Sequence, residues 1–205
     1  RFEGFPGSLD DAINEGVRRG YNHPDNMLRA SVVADPQFAR KNTRDNTPAV
    51  IFTEIVPGNK VDVTVAAKGG GSENKSKMVM LNPSDSIVDW VLKTVPTMGA
   101  GWCPPGMLGI GIGGTAEHCV KLAKQSLMDP IDMTELLARG PSNPTEELRI
   151  ELYEKVNALG IGAQGLGGRE AIGKAGFAAL CIVLEAVEQL DVRRLPPVGQ
   201  VGVQL

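Results

Sequence analysis

The side chains of this chain that could do chemistry are few: three cysteines, two histidines, and charged residues set beside clusters of glycine. Cys103 stands between Trp102 and the pair Pro104 and Pro105. A rigid turn there would hold a thiolate in fixed geometry, which suits a metal ligand; a buried structural thiol is the other reading, since free cysteine is among the most buried residue types. Cys119 follows His118 on a helical stretch. Adjacent helical positions project about 100° apart and do not chelate together. Cys181 lies inside the apolar run GFAALCIVL and reads as core, while His23, before Pro24 in a polar loop, reads as solvated. An odd number of cysteines in a chain of this size argues against a disulfide framework and for a reducing compartment.

The glycines raise a second set of possibilities. Gly109, Gly111 and Gly114 satisfy G-x-G-x-x-G ahead of a helix, which would suggest a dinucleotide turn. Gly160, Gly162 and Gly165 satisfy it as well, after a helix instead of a strand. A pattern that occurs twice among 25 glycines is weak support for NAD. The stretch AKGGGSENKS, residues 67 to 76, fails as a phosphate-binding Walker loop, because Asn74 stands before Lys75 where that motif has glycine. Its backbone amides, with Lys68 and Lys75 nearby, would still favour a carboxylate or phosphate. The alternative is a strained turn with solvated lysines.

These residues must be positioned by a mixture of helices and strands. Ser8 followed by Asp11 reads as an N-cap, and Leu9, Ile13 and Val17 recur at helical spacing up to Gly20. ADPQFARKNTRDNTP reads as loop. AVIFTEIV and VDVTVAA, joined through Pro57, Gly58 and Asn59, read as an antiparallel pair with Val61, Val63 and Val65 on one face. SDSIVDWVLKTV has the spacing of an amphipathic helix. GWCPPGMLGIGIGGTAEHCVKLAKQSL reads as a turn, a glycine-rich strand and a helix capped by Thr115. A further helix starts near Thr145, with Glu146 and Glu147 at its positive end, and finishes at Gly160. A last helix is expected from Arg169 to Leu190. The fold class is therefore α/β (α+β), with mixed or antiparallel sheets packed against amphipathic helices. The clearest boundary is the glycine-rich GIGAQGLGG, residues 160 to 168.

Composition narrows the function classes. The 205 residues are 42% hydrophobic and 22% charged, enough for one substantial core or two small ones. A net charge of -3 with scattered basic residues gives no footprint for nucleic acid. No apolar stretch reaches the roughly 20 residues of a membrane span, so no membrane partner is expected.

In combination, KGGGSENKS, GAGWCPPG, GIGIGGTAE with LAKQSLMDPID, and NALGIGAQGLGG resemble the alpha-type catalytic region of the class I iron-sulfur hydro-lyases, the oxygen-sensitive fumarate hydratases and L-tartrate dehydratases. The resemblance covers residues 1–168; residues 169–205 look unlike the family and are expected to form a divergent C-terminal helix and tail. It implies reversible hydration of fumarate to malate, or dehydration of tartrate, with a [4Fe-4S] cluster held by three cysteines and an open iron acting as Lewis acid. It also implies a small dicarboxylate substrate, a beta-type catalytic domain or subunit as partner, a homo-oligomer and a cytoplasmic setting. Residue by residue, it gives Arg29, in HPDNMLRAS, and Gly71, the third glycine of GGGS, as substrate-binding, and Cys103, in WCPP, as a cluster ligand. The family's first cluster cysteine belongs to a C-x-D-T-G motif expected upstream of Arg1, and no catalytic acid or base is assigned. The alternative reading is a non-catalytic relative that keeps the scaffold as a binding or assembly module.

Overall fold

The structure is a computed structural model that describes residues 7–113, 115–168, 172–178 and 181–188, the last two stretches as backbone. These residues fall into two compact units whose boundary lies between Val63 and Thr64.

In the first unit, helix α1 (Leu9–Tyr21) begins where Ser8 Oγ accepts the Asp11 amide at 3.0 Å. Acidic residues Asp10 and Asp11 sit in its first turn and Arg18 and Arg19 in its last, as the helix dipole favours. Beyond it, strands β1 (Val33–Ala34) and β2 (Lys41–Asn42) pair antiparallel inside the segment expected to be loop. The paired strands expected over 49–56 and 61–67 do not form; that backbone is neither strand nor helix. Val61, Val63 and Val65 are 79, 67 and 73% exposed. Alternation needs a cover for its apolar face, and an isolated hairpin is marginal in water without one.

The second unit carries the core. The glycine stretch forms a single helical turn, α2 (Gly70–Glu73), followed by β3 (Lys77–Met78). Helix α3 (Ile87–Thr94) starts where Ser86 Oγ accepts the Asp89 amide, and a 3-10 turn, Val95–Met98, continues it until Gly99 at φ 62°. Strand β4 (Gly106–Gly111) and helix α4 (Ala116–Ser126, capped by Thr115) follow as expected. Helix α5 (Met133–Arg139) was not foreseen; Asp132 caps it by accepting the amides of Thr134 and Glu135. Helix α6 (Pro144–Ala158) is capped by Asn143 and closes at Gly160, φ 72°, as its sequence implies.

The sheet is mixed, in the order β3-β6-β4-β5, with β5 (Ile172–Ala178) parallel and β6 (Cys181–Glu188) antiparallel to β4. These two strands replace the last helix expected between 169 and 190. Short apolar runs fit either a strand or a helix by pattern, and here the pairing available on both sides of β4 makes them strands. Residues 189 and 190 lie outside those described. One apolar core joins Val91 of α3, Val95 and Met98 of the 3-10 turn, Trp102, Leu108 and Ile110 of β4, Met133 and Leu136 of α5, and Leu152 and Val156 of α6.

No helix among the described residues is long and apolar enough to cross a membrane.

Candidate active site

Three of the glycine motifs meet in the second unit. In α2, Ser72 is buried and its Oγ donates to the Gly69 carbonyl at 2.9 Å, while the amides of Glu73 and Asn74 return to the carbonyls of Gly69 and Gly70. Gly71 itself is exposed and its φ lies outside the left-handed region. Space, not torsion, limits a side chain there: a Cβ would stand 3.0 Å from the Gly101 carbonyl oxygen. Gly101 in turn lies so close to the Lys75 side chain that a Cβ on it would collide with Cε. The GGGS turn and the GAGWCPP turn thus touch backbone to backbone.

The second turn is braced from the other side. Gln164, at φ 53°, donates its amide N–H to the Pro104 carbonyl at 2.7 Å, and Gly165 lies against Ala100. Between these braces, Trp102 is completely buried and Cys103 is half-buried, its amide donating to the Ala100 carbonyl at 2.9 Å. Cys103 has φ 56°, a left-handed conformation unusual for a side chain other than Gly or Asn, so the surrounding contacts over-determine it. It is a free thiol. The structure thus places a half-buried free thiol on a turn with a left-handed residue.

Charge is concentrated on the α4 side of the GGGS turn. Lys124 donates to both Glu73 carboxylate oxygens at 2.6 and 2.7 Å, and Lys68 Nζ lies 3.3 Å from the same carboxylate. Both lysine side chains are 17% exposed. Burial first, and then the Lys124 charge, bring the Lys68 ammonium down to about 8, with Glu73 opposing. Burial pushes the Glu73 carboxyl up, but Lys124 and Lys68 outweigh it and hold it below the ordinary carboxylate value. The sequence suggested that Lys68 would favour an external anion; an internal carboxylate already faces it. No spacing pattern could have joined Glu73 to Lys124, because they are 51 residues apart.

Arg29 belongs to the first unit. It is exposed, and its place on the chain is set by Asn26, which donates to the carbonyls of Tyr21 and Leu28 and accepts the Leu28 amide, each at 2.9 Å.

The remaining cysteines differ from Cys103. Cys119, on α4, is disulfide-bonded. The side chain of Cys181 lies outside those described. No group of three or more His, Cys, Asp or Glu among the described residues could hold a metal ion. The described residues therefore supply one free thiol, Cys103, and do not by themselves fit a [4Fe-4S] cluster held by three cysteines.

A family model described as fumarate hydratase (fumerase) matches residues 2–175. The chain belongs to this family. It is 45% identical over 167 residues to a putative L(+)-tartrate dehydratase subunit alpha of Methanocaldococcus jannaschii, a match covering 77% of this chain and 55% of that one. It is 28% identical over 173 residues to the L(+)-tartrate dehydratase subunit alpha of Escherichia coli K12, covering 82% of this chain and 55% of the relative. The chain thus spans about half the length of these curated relatives.

Proposed function

We propose that residues 1–168 form the alpha-type region of a hydro-lyase that adds water to fumarate, or removes it from malate, and that residues 169–205 are a divergent addition. The observation that carries this reading is the backbone contact of Gly71 with Gly101, two residues before the fixed thiol of Cys103. It joins the motif assigned to substrate with the motif assigned to the cofactor.

Eliminating water from a hydroxy acid requires that its carboxylates be fixed, that a base remove the C–H proton and that the hydroxyl be helped to leave. The described residues serve the first of these. A planar guanidinium such as Arg29 grips a carboxylate with two parallel N–H bonds. At Gly71 an exposed backbone without a side chain lets a carboxylate approach the first amides of the helical turn, which have no acceptor within the helix. Cys103 is the thiolate this chain would contribute to a cofactor. The proton-handling groups are assigned to a beta-type catalytic partner, in line with the relatives' designation as alpha subunits.

A second reading, dehydration of L-tartrate, is supported by the names of those relatives. Anaerobic turnover of L-malate, fumarate and L-tartrate by the full-length protein with its partner separates the two. In either case Arg29→Ala removes a charge-assisted pair of about 1.5 to 3 kcal/mol and raises KM about tenfold or more. Unchanged KM in that variant, or no turnover of any of the three acids, refutes the proposal. Iron and sulfide content that is the same in Cys103→Ser as in wild type removes Cys103 from the ligand set.

A further inference from the structure

We infer that Glu73, clamped between Lys124 and Lys68, is a positioning residue that holds the Gly69–Gly71 turn in its substrate-binding register from α4. This rests on the assignment of Gly71 to the substrate site.

The geometry has three parts. Glu73 is the last residue of α2, and its own amide closes the turn by donating to the Gly69 carbonyl at 3.2 Å. Its carboxylate is held by both oxygens to Lys124, on a helix that the sequence reaches only after β4. That helix cannot drift, because Gly109 of β4 lets the Ala123 carbonyl approach so closely that a Cβ would collide with it. A rigid anchor one residue from the lysine therefore fixes one end of a turn of four residues, and the Gly101 carbonyl limits the other side.

Such a clamp acts on substrate through Gly71. Charge-assisted bonds are roughly twice as strong as neutral ones, and the donating Lys124 side chain is 17% exposed although Glu73 is 50% exposed. A flexible four-residue helical turn rich in glycine has little intrinsic tendency to persist. Without the clamp, the bound backbone geometry becomes one of many, and apparent affinity falls by the fraction of time it is populated. Lys124 and Glu73 are then expected to affect binding more than the chemical step, although neither touches substrate.

The test uses the full-length enzyme with its partner and whichever of malate or tartrate it turns over. Lys124→Met and Glu73→Gln are each expected to raise KM about tenfold with kcat changed less than about twofold, the split that marks lost uniform binding. The double variant is expected to be little worse than either alone, since both remove the same interaction. Lys124→Arg is expected to restore KM, and amide hydrogen exchange at residues 70–74 is expected to quicken in Glu73→Gln. Unchanged KM in both single variants overturns the inference. So does a fall in melting temperature and kcat together with no rescue by Lys124→Arg, because that is the signature of a merely structural pair. If Gly71→Ala and Arg29→Ala raise KM while Lys124→Met does not, the clamp alone is wrong. If none of the four variants changes KM, the substrate assignment of the turn fails with it.

Discussion

Two glycine-rich turns approach the WCPP loop from opposite sides, and they use glycine for different reasons. In the 160–168 segment, Gly160, Gly162, Gly165, Gly167 and Gly168 all have φ between 64° and 111°, a region that side chains disfavour. In the GGGS turn none of the three glycines does. There the requirement is space: Gly71 meets the Gly101 carbonyl. The first turn is specified by torsion and is therefore local; the second is specified by a neighbour 30 residues away in sequence and cannot be understood without it. A segment fixed by its own backbone serves as a brace, whereas one fixed from outside can be tuned by what surrounds it.

The sharpest trial of this contrast is Gly162→Ala. Gly162 combines φ 64° with a position where a Cβ would collide with the Gly167 carbonyl. A left-handed alanine and an overpacked contact together cost about 2 to 5 kcal/mol, on the order of 10 °C in melting midpoint for a chain of this size. Denaturation of purified protein measures it. A change below about 1 kcal/mol would mean that the segment relaxes freely and is no brace.

Gly71→Ala should behave in the opposite way. Alanine is a better helix former than glycine by about 1 kcal/mol, and the squeeze on the Gly101 carbonyl costs a comparable amount. Stability is expected to stay within about 1 kcal/mol of wild type, as these two effects offset. Turnover of dicarboxylate, in contrast, should fall, because the added methyl occupies the exposed backbone proposed to face substrate. A large loss of stability would show that the turn, like the first, is limited by its own torsions.

Gly160→Ala isolates torsion from crowding. Gly160 has φ 72° but nothing within 4 Å of a built Cβ. The expected loss is about 1 to 2 kcal/mol, and Gly160→Asn should lose less, since asparagine tolerates this region at a helix end. Equal losses in the two variants would point to a steric cause absent from the structure.

The same distinction explains what the sequence disclosed. Helix ends were legible because their signals are local: Ser8 and Thr115 cap as expected, and Gly160 closes α6. The proline-flanked setting of Cys103 was legible, whereas the brace on its turn was not, because Gln164 reaches Pro104 from 60 residues away. Strand pairing was not. The alternation around Val61, Val63 and Val65 promised a hairpin that the structure leaves unpaired, and the run around Cys181 promised a helix where β6 pairs with β3 and β4. Pairing depends on which edges are available, and that is a property of the assembled sheet. Glu73 and Lys124 were missed for the same reason: each is unremarkable in its own segment, and only the packing of α4 beside the turn makes them a pair. The approach of Gly71 to the Gly101 carbonyl was not legible either, because it joins segments 30 residues apart.

The smallest expected effect separates the turns by charge. The 160–168 segment contains no ionisable side chain, whereas the GGGS turn is flanked by Lys68, Glu73 and Lys124. Lys68 has its folded value lowered to about 8 from 10.5. Between these two pH values the unfolded chain holds more of this proton than the folded one, so stability rises with pH across that window. Below it both states are protonated and the cost of keeping a charged Lys68 partly buried is fully present. The quantity to measure is the difference between wild type and Lys68→Met in unfolding free energy from about pH 7 to about 10.5. The wild type should gain on the variant as pH rises. Solvent reaching the exposed part of the side chain and the facing Glu73 keep the gain well below that of an isolated buried lysine. A flat difference across the window would show that Lys68 keeps its ordinary titration and that the two turns do not differ in this respect. A falling difference would show that the attraction of Glu73 exceeds the combined effect of burial and Lys124, which would make the cluster a stronger tie on the turn than its titration implies.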